Sequence, residues 1–99
     1  MRDPIAQLNK TFDSRIRIGI MSALAVNDSL SFNDLKALMD VTDGNLATHL
    51  KTLEEAGYVK FTKGFIGRKT NTTYAITKAG DKAFRSHLDA LEQIIKNLG

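Results

Sequence analysis

A mainly helical α+β fold is predicted by three features of the sequence. Apolar residues recur every three or four positions from Ile5 to Ala56, the period drops to two between Tyr58 and Ile76, and helical spacing returns from Lys78 to Leu98. A length of 99 residues suits one domain covering the whole chain, 1–99. With 42% hydrophobic and 25% charged residues the composition is that of an ordinary globular protein.

Each element has its own local warrant. Ile5, Leu8, Phe12, Ile16, Ile20 and Leu24 form an amphipathic helical stripe, and Pro4 suits a first helical turn. Asp13 and Ser14 are both able to cap a new helix, so this N-terminal segment reads as one helix or as two. Asn27 and Asp28 make a turn, and Ser29–Leu30 follow as a very short strand. Ser31 and Asp34 form a capping box, with Asp in place of Glu, ahead of a short helix from Phe32 to Met39. Thr42 caps a second helix running to Ala56, Asp43 complements its dipole, and Gly57 stops it. From Tyr58 the alternating pattern predicts a hairpin through Ile76, with Gly64 and Gly67 bracketing a loop longer than a tight turn. Thr77 caps the last helix, in which Gly80 is expected to be a weak point costing up to about 1 kcal/mol relative to Ala.

Helix, short helix, tight turn, helix and hairpin succeed one another as in a winged helix-turn-helix, whose second paired helix enters the DNA major groove. The helix-turn-helix occupies about 32–56, the wing about 58–76 and the C-terminal helix about 78–98. Charge follows the same map. Fourteen Lys and Arg against eleven Asp and Glu give only +3 in total, yet no acidic residue lies between Glu55 and Asp81. Lys60, Lys63, Arg68, Lys69 and Lys78 fall in that interval and give it a local charge of +5. A protruding ordered ribbon, with Lys60, Lys63, Arg68 and Lys69, therefore displays more cation than the chain's whole net excess.

The chain also resembles the small winged-helix regulators related to the MarR and ArsR groups. The motifs that carry this likeness are "TDGNL..HL..LE..GYV" ending at Val59, paired with "GRK..T.Y.(I/L)T..G" across the hairpin and into Ala79 and Gly80. The resemblance spans about Phe12 to Leu91. It implies a dimeric regulator of transcription; repression is the expected sense, and the cytoplasm is the expected location on separate grounds.

On a helical wheel Leu46, Leu50 and Leu53 cluster within about 60° and belong to the core. The opposite arc carries the candidate recognition residues. Gly44 permits close backbone approach, Asn45 and Thr48 have the chemistry to read base edges, and Lys51 and Thr52 suit phosphate contacts. His49 joins this set from the edge of the wheel, where partial packing is equally in keeping with its position. In the wing Lys63, Arg68 and Lys69 are the candidate contacts to the backbone or minor groove, Arg68 first because its guanidinium is weakly hydrated. Arg15 and Arg17 flank Ile16 and face either DNA phosphates or acidic groups of their own subunit. Phe65 and Ile66 either tuck under the wing or meet a partner.

Phe84, Leu88, Leu91, Ile95 and Leu98 recur in steps of four and three, a heptad seam. Phe84 and Leu88 are assigned to the core, whereas Leu91, Ile95 and Leu98, joined by Ile5 and Leu8, are assigned to a homodimer interface. The N- and C-terminal helices are thus both expected to serve dimerisation. Three such residues per chain contribute about 9 to 18 kcal/mol gross, against about 4 to 15 kcal/mol for association, so the seam needs the N-terminal residues as well.

Other functions find little support. Without cysteine there is no disulfide scaffold, thiolate metal site or thiol nucleophile, and two separated histidines make no metal site. No catalytic spacing or phosphate-binding glycine loop is present, so neither an enzyme nor a cofactor is expected. No apolar run approaches the roughly 18 residues of a membrane span, and residues 1–10 lack the apolar block of a secretory signal. The competing expectation is a protein-interaction module, favoured by Asp43, Glu54 and Glu55 on the recognition helix.

Overall fold

The computed structural model describes residues 3–98, the last of them by its backbone alone. Two 3-10 turns, Ile5–Gln7 and Lys10–Phe12, precede helix α1 at Arg15–Ala25. Strand β1 (Leu30–Ser31), helices α2 (Phe32–Met39) and α3 (Asp43–Glu55), strands β2 (Val59–Ile66) and β3 (Lys69–Ile76), and helix α4 (Lys78–Leu98) follow. This is the expected mainly helical α+β architecture.

The N-terminal segment departs from both readings of its periodicity. Only the part after Ser14 is α-helical, with the Ser14 hydroxyl accepting from Arg17 N–H. Ahead of it the backbone breaks at Leu8 and Asn9, both extended, so no continuous N-terminal helix exists to serve as a dimerisation element. The cause is tertiary. In an α-helix the Asn9 N–H would donate to the Ile5 carbonyl; here it donates to Nδ1 of His87 at 3.0 Å. Phe12 turns inward to meet Tyr58, Phe84 and His87, with ring centroids 5.5, 5.4 and 5.1 Å away. A buried aromatic cluster outweighs the marginal stability of a short isolated helix.

The helix pair forms as its caps dictate. Ser31 and Asp34 complete a reciprocal capping box, and α2 ends at Asp40 in the left-handed conformation. Thr42 accepts from Asn45 N–H at 3.2 Å to start α3, and Gly57, at φ +80°, reverses the chain after it. Leu46, Leu50 and Leu53 are fully buried with Leu35 of α2, Ile20, Met21 and Leu24 of α1, and Val59 of β2.

The sheet order is β1-β3-β2, all antiparallel. Leu30, rather than Ser29, begins the short strand and pairs with Tyr74. The β2–β3 hairpin contradicts the long loop expected from its glycines: pairing continues to Ile66 opposite Lys69, leaving a two-residue turn at Gly67 and Arg68. Gly67 has φ +63° and Arg68 does not share a positive φ, the pattern of a type II′ turn with glycine first. Register follows from the buried face. Val59 opposite Ile76 continues the core, with Tyr74 of β3 packed against it, whereas a slip by one residue would expose Val59.

Helix α4 buries Phe84, His87 and Ala90. Leu88, assigned to the core from its spacing, is instead 45% exposed, because α4 buries the strip three residues on either side of His87.

Candidate nucleic-acid interface

The outward arc of α3 is open to solvent, as its wheel requires once the three leucines face inward. Gly44, Asn45, Thr48, Lys51 and Thr52 are all exposed. A β-carbon on Gly44 would meet nothing within 4 Å, so the fold itself sets no requirement for glycine there. Both threonine hydroxyls bond back along the helix: Thr48 donates to the Gly44 carbonyl at 2.9 Å and Thr52 to the Thr48 carbonyl at 3.1 Å. Their hydrogens are thereby engaged, leaving hydroxyl lone pairs and methyl groups for any external partner.

At the start of α3, Asp43 pairs with Lys36 of α2 at 2.7 Å. This exposed ion pair crosses the helix-turn-helix junction and offsets the Asp43 carboxylate. Glu54 lies on the other side, where burial first and the Glu54 charge second push the Tyr74 phenol up.

His49 is half-buried, matching its place at the wheel's edge. Its Nδ1 lies 2.9 Å from Nη1 of Arg17, which also donates from Nε to the Thr11 carbonyl at 2.6 Å. Burial, and then the Arg17 charge, hold the imidazole below the usual histidine range. Arg17 is therefore turned into its own subunit, and of its two expected settings the structure selects an internal one. Its partners are a carbonyl and a ring nitrogen, not acidic groups.

In the wing, Lys60, Lys63, Arg68 and Lys69 are exposed, and among the described residues none of them forms an ion pair. Lys63 shares a ribbon face with Phe61 and Phe65, while Lys69 pairs across from Ile66. Phe65 and Ile66 do not tuck under the wing; they are 75% and 69% exposed beside the Gly67–Arg68 turn.

Of the residues expected at a dimer interface, Ile5, Leu91 and Ile95 are exposed, Leu8 is half-buried, and the Leu98 side chain lies outside the described part. Ile5 and Ile94 line an open groove of about 170 Å³ with Asp3, Pro4 and Asn97, so the N-terminal segment does meet the end of α4.

Sequence reasoning missed Asn9 altogether. Its N–H bonds His87, its Nδ2 donates to the Tyr58 hydroxyl at 2.9 Å, and its Oδ1 accepts from Thr11 N–H. No local pattern announces contacts 49 and 78 residues distant; only the Asx turn to Thr11 was accessible from sequence. Among the described residues no group of three or more His, Asp or Glu is placed to hold a metal, and no helix is long and apolar enough to cross a membrane.

A capped helix pair, an uncovered second helix and an antiparallel ribbon of cations that are unpaired among the described residues together define a winged-helix domain of the kind found in regulators of transcription. Residues 16–95 match the winged helix DNA-binding domain family, and the chain belongs to that family of transcriptional regulators. The uncharacterized protein MJ0432 of Methanocaldococcus jannaschii is 38% identical over 89 residues, covering 90% of this chain and 97% of that protein. The transcriptional regulator homologue of Pyrococcus horikoshii OT3 is 30% identical with a TM-score of 0.83, covering 91% of this chain and 89% of its own. Bacillus subtilis PadR, solved in complex with operator DNA, shares the fold at 19% identity and a TM-score of 0.67, over 76% of this chain and 48% of that one.

Proposed function

We propose that this chain is a homodimeric, sequence-specific regulator of transcription that binds double-stranded DNA and acts as a repressor in the cytoplasm, without a cofactor and without catalysis. One observation carries the reading. The polar arc of α3 is uncovered, and the four wing cations have no acidic partner among the described residues. A ribbon of unpaired cations gains most from displacing counterions on a polyanion.

In this reading α3 enters the major groove and the wing lies over the backbone or in the minor groove. Asn45 reads adenine through its amide, and the Thr48 methyl packs on a thymine methyl, a role left open by its engaged hydroxyl hydrogen. Gly44 gives clearance for the helix start, and His49 contributes from the arc's edge. Lys51 binds phosphate, and Thr52 joins it by turning its hydroxyl away from the Thr48 carbonyl. Arg68 leads the wing contacts, with Lys63 and Lys69 beside it. PadR bound to operator DNA provides a fold-level precedent for such an arrangement.

A twofold dimer formed through Ile5, Leu8, Leu91, Ile95 and Leu98 would set two recognition helices one DNA turn apart. The operator is then palindromic, with half-site centres roughly 34 to 36 Å apart. The protein-module alternative rested on acidic α3 residues; the Lys36 partner of Asp43 weakens it.

Selection of bound sequences from random duplex DNA, followed by anisotropy titration at several salt concentrations, tests the proposal. Affinity falling with a log-log slope of about −0.9 per phosphate neutralised is expected. Arg68→Ala should weaken binding to every sequence, and Asn45→Ala should relax preference at one base pair. No enriched palindrome and no salt dependence would refute the reading.

A further inference from the structure

We propose that Arg17 is a positioning residue for DNA recognition: it fixes His49 in the Nε2–H tautomer and holds that N–H as a directed donor beside Asn45 on the recognition helix. The inference rests on the DNA-binding reading and assigns a role within it to a residue outside α3.

The tautomer follows from hydrogen-bond chemistry. A guanidinium has five N–H donors, no acceptor, and does not lose its proton in proteins. Across the 2.9 Å contact between Arg17 Nη1 and His49 Nδ1, the ring nitrogen must therefore accept. An imidazole accepting at Nδ1 is neutral and carries its hydrogen on Nε2. Burial first, and the Arg17 charge second, oppose a second proton on the ring, in the same sense as this geometry.

Arg17 is itself held from three directions. Its Nε donates to the Thr11 carbonyl at 2.6 Å, its backbone N–H is capped by Ser14, and the turn carrying Thr11 is anchored by the buried Phe12. The fork of the guanidinium thus spans the N-terminal turn and α3, which a lysine, with one point of charge, cannot do at both atoms.

The far side of the ring is available. Nε2 has no partner among the described residues, and none of their buried side-chain nitrogen or oxygen atoms lacks one, so Nε2 reaches solvent. His49 stands four residues after Asn45, which places the two about 40° apart and one turn along the same side of α3. The donor is thus next in line to the amide assigned to base reading. Its natural partner is a hydrogen-bond acceptor on the duplex: a purine N7 in the major groove or a phosphate oxygen.

Long-range proton–nitrogen NMR on the full chain, with duplex titrations, tests the assignment. In the free protein His49 should show a protonated Nε2 and a lone pair at Nδ1. Arg17→Met should move the ring toward a mixture of tautomers, and Arg17→Lys should restore the signature only in part. Arg17→Met and His49→Ala should each weaken binding about three- to tenfold, and the double variant no more than the weaker-binding single one. Losses that multiply would mean that Arg17 acts on DNA by itself and would overturn the proposal, as would an Nδ1–H signal in the wild type. Analogue scanning on wild-type protein needs no Arg17 variant. One 7-deazapurine or one methylphosphonate should weaken wild type and be silent in His49→Ala, the first locating the acceptor on a base and the second on the backbone. Equal effects in both proteins at every position refute the donor role. Absence of any duplex binding by wild type would instead bring down the underlying DNA-binding reading.

Discussion

Gly80, in the first turn of α4, lies directly against the backbone of Tyr58. A β-carbon at Gly80 would overlap the Tyr58 carbonyl oxygen and sit 2.8 Å from its carbonyl carbon. Three hydrogen bonds hold this approach: Thr77 N–H to the Tyr58 carbonyl at 3.0 Å, the Thr77 hydroxyl to the Gly57 carbonyl at 2.6 Å, and Gly80 N–H to the Thr77 hydroxyl at 2.9 Å. One threonine thus caps α4 while closing the end of α3, so the recognition helix, the root of the wing and the last helix share a corner.

The glycine therefore strengthens the fold at a position where helix propensity alone assigns it a cost. Gly80→Ala should destabilise by about 1 to 3 kcal/mol or more, since backbone rather than a flexible side chain opposes the added carbon. Urea denaturation measures it, and a higher midpoint in the variant would contradict the close approach.

Gly44 should behave in the opposite way. With open space around it, Gly44→Ala is expected to gain up to about 1 kcal/mol of helix propensity. If the missing side chain serves the groove, the same variant binds operator DNA more weakly. Thermal melts and anisotropy on one preparation separate the effects, and unchanged affinity would return Gly44 to a merely tolerated residue.

Asn9 and Tyr58 are expected to be energetically coupled. Tyr58→Phe removes the acceptor for Asn9 Nδ2 and should cost about 0.5 to 1.5 kcal/mol. After Asn9→Ala the same change should cost less. A double-mutant cycle by denaturation checks this, and additive losses would deny the bond a stabilising role.

His49 makes stability depend on pH in a defined direction. Its pKa is lowered in the folded protein from the ordinary 6.5, so below about that pH the unfolded chain binds more protons. The His49 contribution is complete above the unfolded value and is lost as pH falls toward the folded one. Denaturation midpoints at pH 7.5 and 5.5 should drop more in wild type than in His49→Gln. An equal drop would place the acid sensitivity elsewhere.

Local chemistry made most of the architecture legible. The capping box at Ser31 and Asp34, the Thr42 cap and the Gly57 stop act within one turn of chain, and each is found where its residues imply. The exposed arc of α3 follows from a wheel, because three leucines on one side leave the other for solvent. The hairpin was legible as alternation, but its turn was not. The glycines at 64 and 67 implied a loop between them, whereas pairing Val59 with Ile76 over the core carries the ladder to Ile66 opposite Lys69 and confines the reversal to Gly67 and Arg68.

Sequence by itself thus determined the order of the elements, the polar arc of α3 and the concentration of cations in the wing, since period, caps and charge are properties of neighbouring residues. Tertiary structure alone decided the 3-10 turns of the N-terminal segment, the inward course of Arg17, the buried setting of His87 and the necessity of Gly80. In each case a group found its partner far along the chain. Asn9 N–H exchanged a helical carbonyl for an imidazole 78 residues away, and such a choice exists only once the core has brought the two together.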